Sequence, residues 1–466
     1  MWIQRGGCIF INVNVRFANE SVPKLILSLA TPAIVAQLIN ALYNVVDRMF
    51  IGRMPDTGTL ALTGVGVAFP IIMAISAFAV LLGYGGAPLA SIRMGEGSQE
   101  KAEELLGSCF FMLLMVSAVL TAILLIYKTK LLTIFGASPD TLPFADTYLG
   151  IYSLGTFSVL ISLGLNPFIA AQGYAKTAMM TVCVGAAVNT ILDPIFIFGM
   201  DMGVAGAALA TIISQIISAG WVLWFLTSKH THLRLRLKHI RMNAKAAVSV
   251  LALGLSPFIM QSTESLIQIV FNTSLARYGG DLYIGAMGIM SSLMQIFTLL
   301  LQSFAQGAQP IIGYNYGSGD YARVQATIKY CTLFCAIFGI AMWSIVVFAP
   351  RLPVMIFTNQ PELVALTMKL MRIFFLGTCI YGLQLAFQQV FIALGQTKVS
   401  IFIAILRKII LLIPLVYLLP AFMDSQAVGV IIAEPIADFC AATTCCILFG
   451  LKIKQLLRKE ASPFAK

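Results

Sequence analysis

Leu60-ALTGVGVAFPIIMAISAFAVLLG-Tyr84 runs for 25 residues without a charged side chain. About 20 consecutive apolar residues in a helix suffice to cross the hydrocarbon core of a bilayer. Eleven further runs of spanning length lie at 25–49, 107–127, 148–172, 177–199, 203–226, 247–276, 283–305, 327–349, 369–394, 399–419 and 427–450. Turn chemistry marks the breaks, as at Met54-Pro-Asp-Thr-Gly58, Ser138-Pro-Asp140 and Tyr278-Gly-Gly-Asp281. Composition agrees. Hydrophobic residues make 59% of the 466-residue chain and charged residues 11%, against about 45–50% and about 25% in soluble domains. A water-soluble protein of this size would lack the charge to cover its surface. A transmembrane barrel is excluded too, because its strands alternate polar with apolar residues. The sequence predicts an all-α polytopic membrane protein with twelve transmembrane helices.

The net charge of +11 is explained by topology, not by nucleic acid. With an even number of spans both termini share one side, and about twenty Lys and Arg fall on that side against about eight on the other. The positive-inside rule places both termini in the cytoplasm of a multi-pass protein of the plasma (inner) membrane. Met1 to Glu20 lacks the apolar stretch of a signal peptide. Nine cysteines, odd in number and with no CxxC pair, fit buried small hydrophobes better than disulfides or zinc. All three histidines lie in the basic stretch 229–245, read as an amphipathic segment on the inner leaflet.

The chain repeats itself. At an offset of 222, Gly85, Pro88, Gly95 and Gly97 match Gly307, Pro310, Gly317 and Gly319. Leu154-Gly155-Thr156 matches Leu376-Gly377-Thr378, and Ala171, Gly173 and Lys176 match Ala393, Gly395 and Lys398. Pro32 pairs with Pro257 after a three-residue shift. The predicted organisation is an N-terminal arm (1–24), an N-lobe (25–228), a basic linker (229–246), a C-lobe (247–450) and a tail (451–466). Six helices preserve sidedness, so the lobes are related by a pseudo-two-fold axis along the membrane normal, a plan in which substrate binds between rocking halves.

Five acids are embedded at membrane depth: Asp47, Asp193, Glu264, Glu434 and Asp438. Such a group costs several kcal/mol unless protonated, paired or facing water. Asn40, Tyr43, Asn44 and Asp47 share one face of the first span, which Pro32 makes bendable. Arg48 lies near the helix end and is read as snorkelling. Asn189 and Asp193, at i and i+4 before Pro194, share a face of the fifth span, and the sixth offers Thr211, Ser214 and Gln215. Convergence of Asp47 and Asp193 would make a pair able to take and release a proton. The second lobe has Asn272 and Leu415 near the corresponding positions, and its own acids elsewhere. Arg407 and Lys408 either complement those acids or snorkel.

With these residues in view, the chain resembles the multidrug and toxic compound extrusion (MATE) family over about 25–455. The likeness rests on Pro32, the Tyr43-Asn-Val-Val-Asp47 segment, Asn189-x-x-x-Asp193-Pro194 and Gly395-Gln-Thr-Lys398. The resemblance implies a secondary antiporter exporting amphiphilic, often cationic compounds, and no enzyme. It implies a proton-coupling set of Asp47, Asn189, Asp193 and Thr211, as in the proton-driven branch. The hinge is Pro32, and the substrate cavity takes in Asn40, Tyr43, Asn166, Met180, Glu264 and Gln384. Expected partners are small amphiphiles and membrane lipids, with no nucleic acid, no cofactor, H+ as the coupling ion and a monomeric state. The sodium-driven branch adds an acid on the tenth helix, where this chain reads Gly382-Leu-Gln384-Leu-Ala-Phe-Gln388-Gln389; Na+ coupling through Glu264, Glu434 and Asp438 is the alternative. A lipid-linked flippase would have more helices and a basic cavity. A membrane-embedded enzyme would need a nucleophile–base or metal set. The glycine-rich Gly313–Gly319 loop lacks the Lys-Ser/Thr of a nucleotide site.

Overall fold

The computed structural model describes residues 13–457. Cys8, residues 1–12 of the arm and 458–466 of the tail lie outside them. The described residues contain no strand. A short helix, Val13–Asn19, precedes the spans α1 (Val22–Gly52), α2 (Gly58–Gly95), α3 (Gln99–Ile134), α4 (Leu142–Leu154 with Thr156–Ala171), α5 (Ala175–Gly199) and α6 (Gly203–Thr227). The second set is α7 (Ala244–Tyr278), α8 (Asp281–Gly317), α9 (Tyr321–Phe348), α10 (Pro361–Ala393), α11 (Thr397–Phe422) and α12 (Gln426–Leu456). These are twelve spans, with the two pieces of α4 counted as one. Most helices outrun the apolar stretch that predicts them, because helical hydrogen bonding continues past the hydrocarbon into the headgroup layer.

The repeated triplets mark the same break in each lobe. α4 bends by 60° at Gly155, and α10 passes through a tight turn at Phe375–Gly377. Neither glycine has room for a side chain: a Cβ on Gly155 would stand 2.5 Å from Ile212 Cγ1, and one on Gly377 2.6 Å from Asp438 Cβ. The bend seats α4 against α6, and the tight turn of α10, which stays one continuous span, lets it close on α12.

The other repeated glycines lie between the lobes. A Cβ on Gly85 of α2 would collide with the Val250 carbonyl of α7, and one on Gly307 of α8 would stand 2.7 Å from Ala30 Cα of α1. Gly95 meets the carbonyl of Tyr314 and Gly317 that of Ile92, and Ile92 and Tyr314 are themselves 222 residues apart. Tyr84 donates to Gln306 Oε1 at 3.4 Å across the same separation. The pseudo-symmetry axis thus runs between α2 and α8, which touch backbone to backbone. Gly97 and Gly319, two residues past these contacts, end the helices with φ of +73° and +78°, where a Cβ would be strained.

The basic linker packs on protein, contrary to the expectation that it lies on the leaflet. It alternates as an extended strip, with Leu233 and Leu235 buried in the N-lobe. Gln172 Oε1 accepts from Thr231 Oγ1 at 2.7 Å and from the Leu233 amide at 2.8 Å. Arg236 pairs with the buried Glu103 at 2.9 Å, and Lys238 bonds to Glu100 at 2.9 Å. Buried polar partners on α3 and after α4, not a lipid surface, fix its course.

Replacing Gly95 or Gly317 with Val should destabilise the protein by about 1–3 kcal/mol, the usual cost of overpacking. Because the two contacts mirror each other, both variants should lower the melting temperature in detergent by similar amounts. A neutral result for either would show that the α2–α8 contact yields.

Candidate functional site

In the N-lobe, α1 and α5 bring Asp47 and Asp193 into side-chain contact. Both are buried, at 8% and 0% exposure. Asn189, one turn before Asp193, donates through Nδ2 to Asp193 Oδ1 at 3.2 Å and lies 3.5 Å from Thr211 Oγ1 on α6. Asp47 Oδ1 and Asp193 Oδ2 have no hydrogen-bond partner, and neither acid is in salt-bridge contact with a cation among the described residues. Arg48 does not pair with Asp47; its guanidinium sits 4.4 Å from the centre of the Phe69 ring. The backbone beneath Asp193 is irregular. Pro194 has no N–H to give the Thr190 carbonyl, and Ile195–Gly199 winds as a π-helix, a form that recurs at functional sites.

Tyrosines complete the pocket. Tyr43 lies beside Asp47, with Asp193 further off. Tyr148 lies near Asp47 and Thr211 and stacks on Tyr152 with ring centres 6.2 Å apart. Sequence reasoning missed Tyr148 and Tyr152. Their i, i+4 spacing was visible, but only the bend of α4 at Gly155 aims that face at Asp47.

The other predicted residues are spread more widely. Asn40 accepts, through its carbonyl, the Asn44 side chain at 2.7 Å. Asn166 on α4 donates to the Ala178 carbonyl at 3.1 Å and leaves its own Oδ1 unpartnered. Met180 is 40% exposed on α5. Pro32 is buried within α1. Glu264 and Gln384 belong to the C-lobe, away from the Asp47 pocket.

The C-lobe acids are answered by cations. Arg407 Nε contacts Asp438 Oδ1 at 2.7 Å, its Nη2 contacts Glu434 Oε1 at 3.0 Å, and its guanidinium lies 4.6 Å from the Tyr381 ring centre. Lys408 pairs with Glu264. Both basic residues sit on the π-helical stretch Leu406–Leu412 of α11 and face inward, 6% and 7% exposed. They complement the acids instead of snorkelling. Together with Met260, Tyr381, Gln384 and Gln388 they nearly fill the middle of the lobe. Gln384 is buried with its Oε1 unpartnered.

The model of the MatE family matches residues 32–195 and 257–418, once in each lobe and nearly in the register of the internal repeat. The chain belongs to this family. It is 26% identical over 427 residues to the multidrug export protein MepA of Staphylococcus haemolyticus, covering 91% of this chain and 93% of that one. Likeness to MepA of Staphylococcus saprophyticus is 25% over 443 residues, 95% of each chain. The solved structure of the MATE multidrug transporter DinF-BH in complex with R6G is 33% identical, with a TM-score of 0.86, covering 95% of this chain and 98% of that one. A MATE structure in the bent conformation superposes with a TM-score of 0.89 at 20% identity over 96% of this chain and 99% of that one.

The two lobes should respond oppositely to removal of charge. Arg407→Ala strands two buried carboxylates and should cost about 3–5 kcal/mol, a large fall in melting temperature. Asp47→Asn removes a buried acid that makes no salt bridge among the described residues and should leave the melting temperature equal or higher.

Proposed function

We propose that this membrane protein is a secondary multidrug antiporter, expelling amphiphilic, often cationic compounds in exchange for protons. The observation that carries the reading is the contrast between lobes. Three C-lobe acids are tied to Arg407 and Lys408, whereas among the described residues Asp47 and Asp193 make no salt bridge and have each other, Asn189 and Tyr43 as neighbours. Two like charges in contact repel, and more strongly in a buried site than in water. A proton shared between the two carboxyls removes that cost and lets the unpartnered oxygens bond to each other. Proton binding here therefore changes the energy of the site more than it would elsewhere in the protein.

The cycle follows from which groups the proton ties together. A proton entering from the outer side joins Asp47 to Asp193 and so draws α1 onto α5. α1 yields at Pro32, which cannot donate to the carbonyl four residues earlier. The move shrinks the space bordered by Tyr43, Asn40 and Asn166 and displaces the bound amphiphile. Loss of the proton on the opposite side restores repulsion and reopens the pocket, while the lobes alternate access around it. Kinship with the MepA exporters and with DinF-BH, solved with R6G, supports the substrate class. The asymmetry of Lys and Arg supports a plasma-membrane protein with both termini in the cytoplasm. Sodium coupling is disfavoured, because tethered cations already occupy the three C-lobe acids and the one acid of α10, Glu362, is exposed in its first turn.

Efflux of rhodamine 6G or ethidium from vesicles, with pH and sodium gradients imposed separately, tests the proposal. Wild type should pump on the pH gradient alone. Asp47→Asn and Asp193→Asn should each lose at least about tenfold in that rate, equivalent to about 1.4 kcal/mol. Undiminished efflux in both variants, or efflux on sodium alone, would sink the proton site.

A further inference from the structure

A groove lies on the outer wall of the C-lobe, and none of the C-lobe acids lines it. One stripe of α9 (Gln325, Ile328, Lys329, Thr332, Leu333, Ala336) faces Phe387 of α10 and Phe449, Ile453 and Leu457 at the end of α12, enclosing a groove of about 460 Å³. That volume is in the range that holds a small apolar ligand, roughly 300–1,000 Å³. Phe387 and Phe449 stack with centres 3.9 Å apart and form its inner wall. The outward face of α9 is apolar and open, with Leu333, Ile337 and Ile340 half-exposed, so the groove opens to lipid.

The polarity of the groove runs in one direction. Gln325 and Lys329 lie at the end near the chain termini, and Leu333, Ala336 and the two phenylalanines lie deeper. From Gln325 to Ala336 the helix rises about 16 Å, close to the roughly 15 Å depth of one leaflet. Among the described residues no acid lines it and Lys329 makes no salt bridge, so its ammonium offers a positive charge at the termini end of the groove. One turn deeper, the Thr332 hydroxyl is shielded and has no hydrogen-bond partner. Neighbouring helical threonines such as Thr327 do bond, to the carbonyl four residues back.

We propose that this groove is a specific site for one anionic phospholipid of the leaflet on the termini side. Lys329 pairs with the phosphate, Thr332 donates to an ester carbonyl, and one acyl chain lies along Leu333, Ala336 and the Phe387–Phe449 stack. The depth order of cation, hydroxyl donor and apolar trough matches the order of phosphate, ester and chain in a glycerophospholipid. The wall of α9 and α12 would then move with a lipid attached, and the charge of that leaflet would bear on the C-lobe.

Native mass spectrometry of the full-length protein in detergent, titrated with dioleoyl phosphatidylglycerol or dioleoyl phosphatidylcholine, tests this site. Wild type should hold one phosphatidylglycerol roughly fivefold more tightly than phosphatidylcholine, as expected for one lysine at an anionic surface. Lys329→Gln, a change at an exposed position, should abolish the preference and keep the weaker adduct. Ala336→Trp, which fills the trough, should remove the tight adduct of both lipids. Equal binding of the two lipids by wild type, or a preference that survives Lys329→Gln, would overturn the proposal. Displacement of bound phosphatidylglycerol by rhodamine 6G would overturn it as well, by making the groove a drug site.

Discussion

A charge inside hydrocarbon must be answered by another group or by a proton, and this constraint orders the molecule. Hydration that costs nothing at a soluble surface is missing along most of these helices. The C-lobe meets the constraint with its own side chains, through Arg407 on Glu434 and Asp438 and Lys408 on Glu264. The N-lobe meets it differently. It places two carboxyls in contact beside Asn189 and Tyr43, and among the described residues neither makes a salt bridge.

The two lobes share a backbone plan and divide the chemistry. Positions retained in both halves are backbone contacts: Gly85 with Gly307, Gly95 with Gly317, and the breaks at Gly155 and Gly377. Each is a place where one helix approaches another too closely for a Cβ, so the fold tolerates little else there. Ionisable residues follow no such register, since Asp47 and Asp193 fall against Asn272 and Leu415. Geometry is constrained by packing at every repeat contact, whereas a charge is constrained only by its own neighbours. The common scaffold thus leaves one lobe with paired charges and the other with two acids in contact that make no salt bridge among the described residues.

Much of this is legible in the chain because membranes simplify reading. Long apolar runs give the spans, and a fixed offset of glycines and prolines gives the halves. The scarcity of embedded acids shortens the list of candidates to five. The i, i+4 spacing of Asn189 and Asp193 by itself puts both on one helical face. What stays hidden depends on contact between distant helices. The tyrosines of α4 become part of the site only through the bend at Gly155, and the roles of Arg407 and Lys408 depend on a π-helical stretch with no compositional sign. The basic linker misleads for a related reason. Its Leu-Arg alternation reads equally well against lipid or protein, and buried Glu103 and Gln172 decide the matter from elsewhere in the chain.

That linker has a mechanical consequence. Because Thr231, Leu233, Arg236 and Lys238 are fastened to the N-lobe, the long segment joining the halves is no slack leash. The free joint shrinks to the few residues before α7, where Asn243 caps the helix by accepting the amides of Lys245 and Ala246. A pivot so short permits one half to tilt about a point near the membrane surface but denies it the reach to slide or separate. The covalent connection thereby selects rotation as the motion available to the pair.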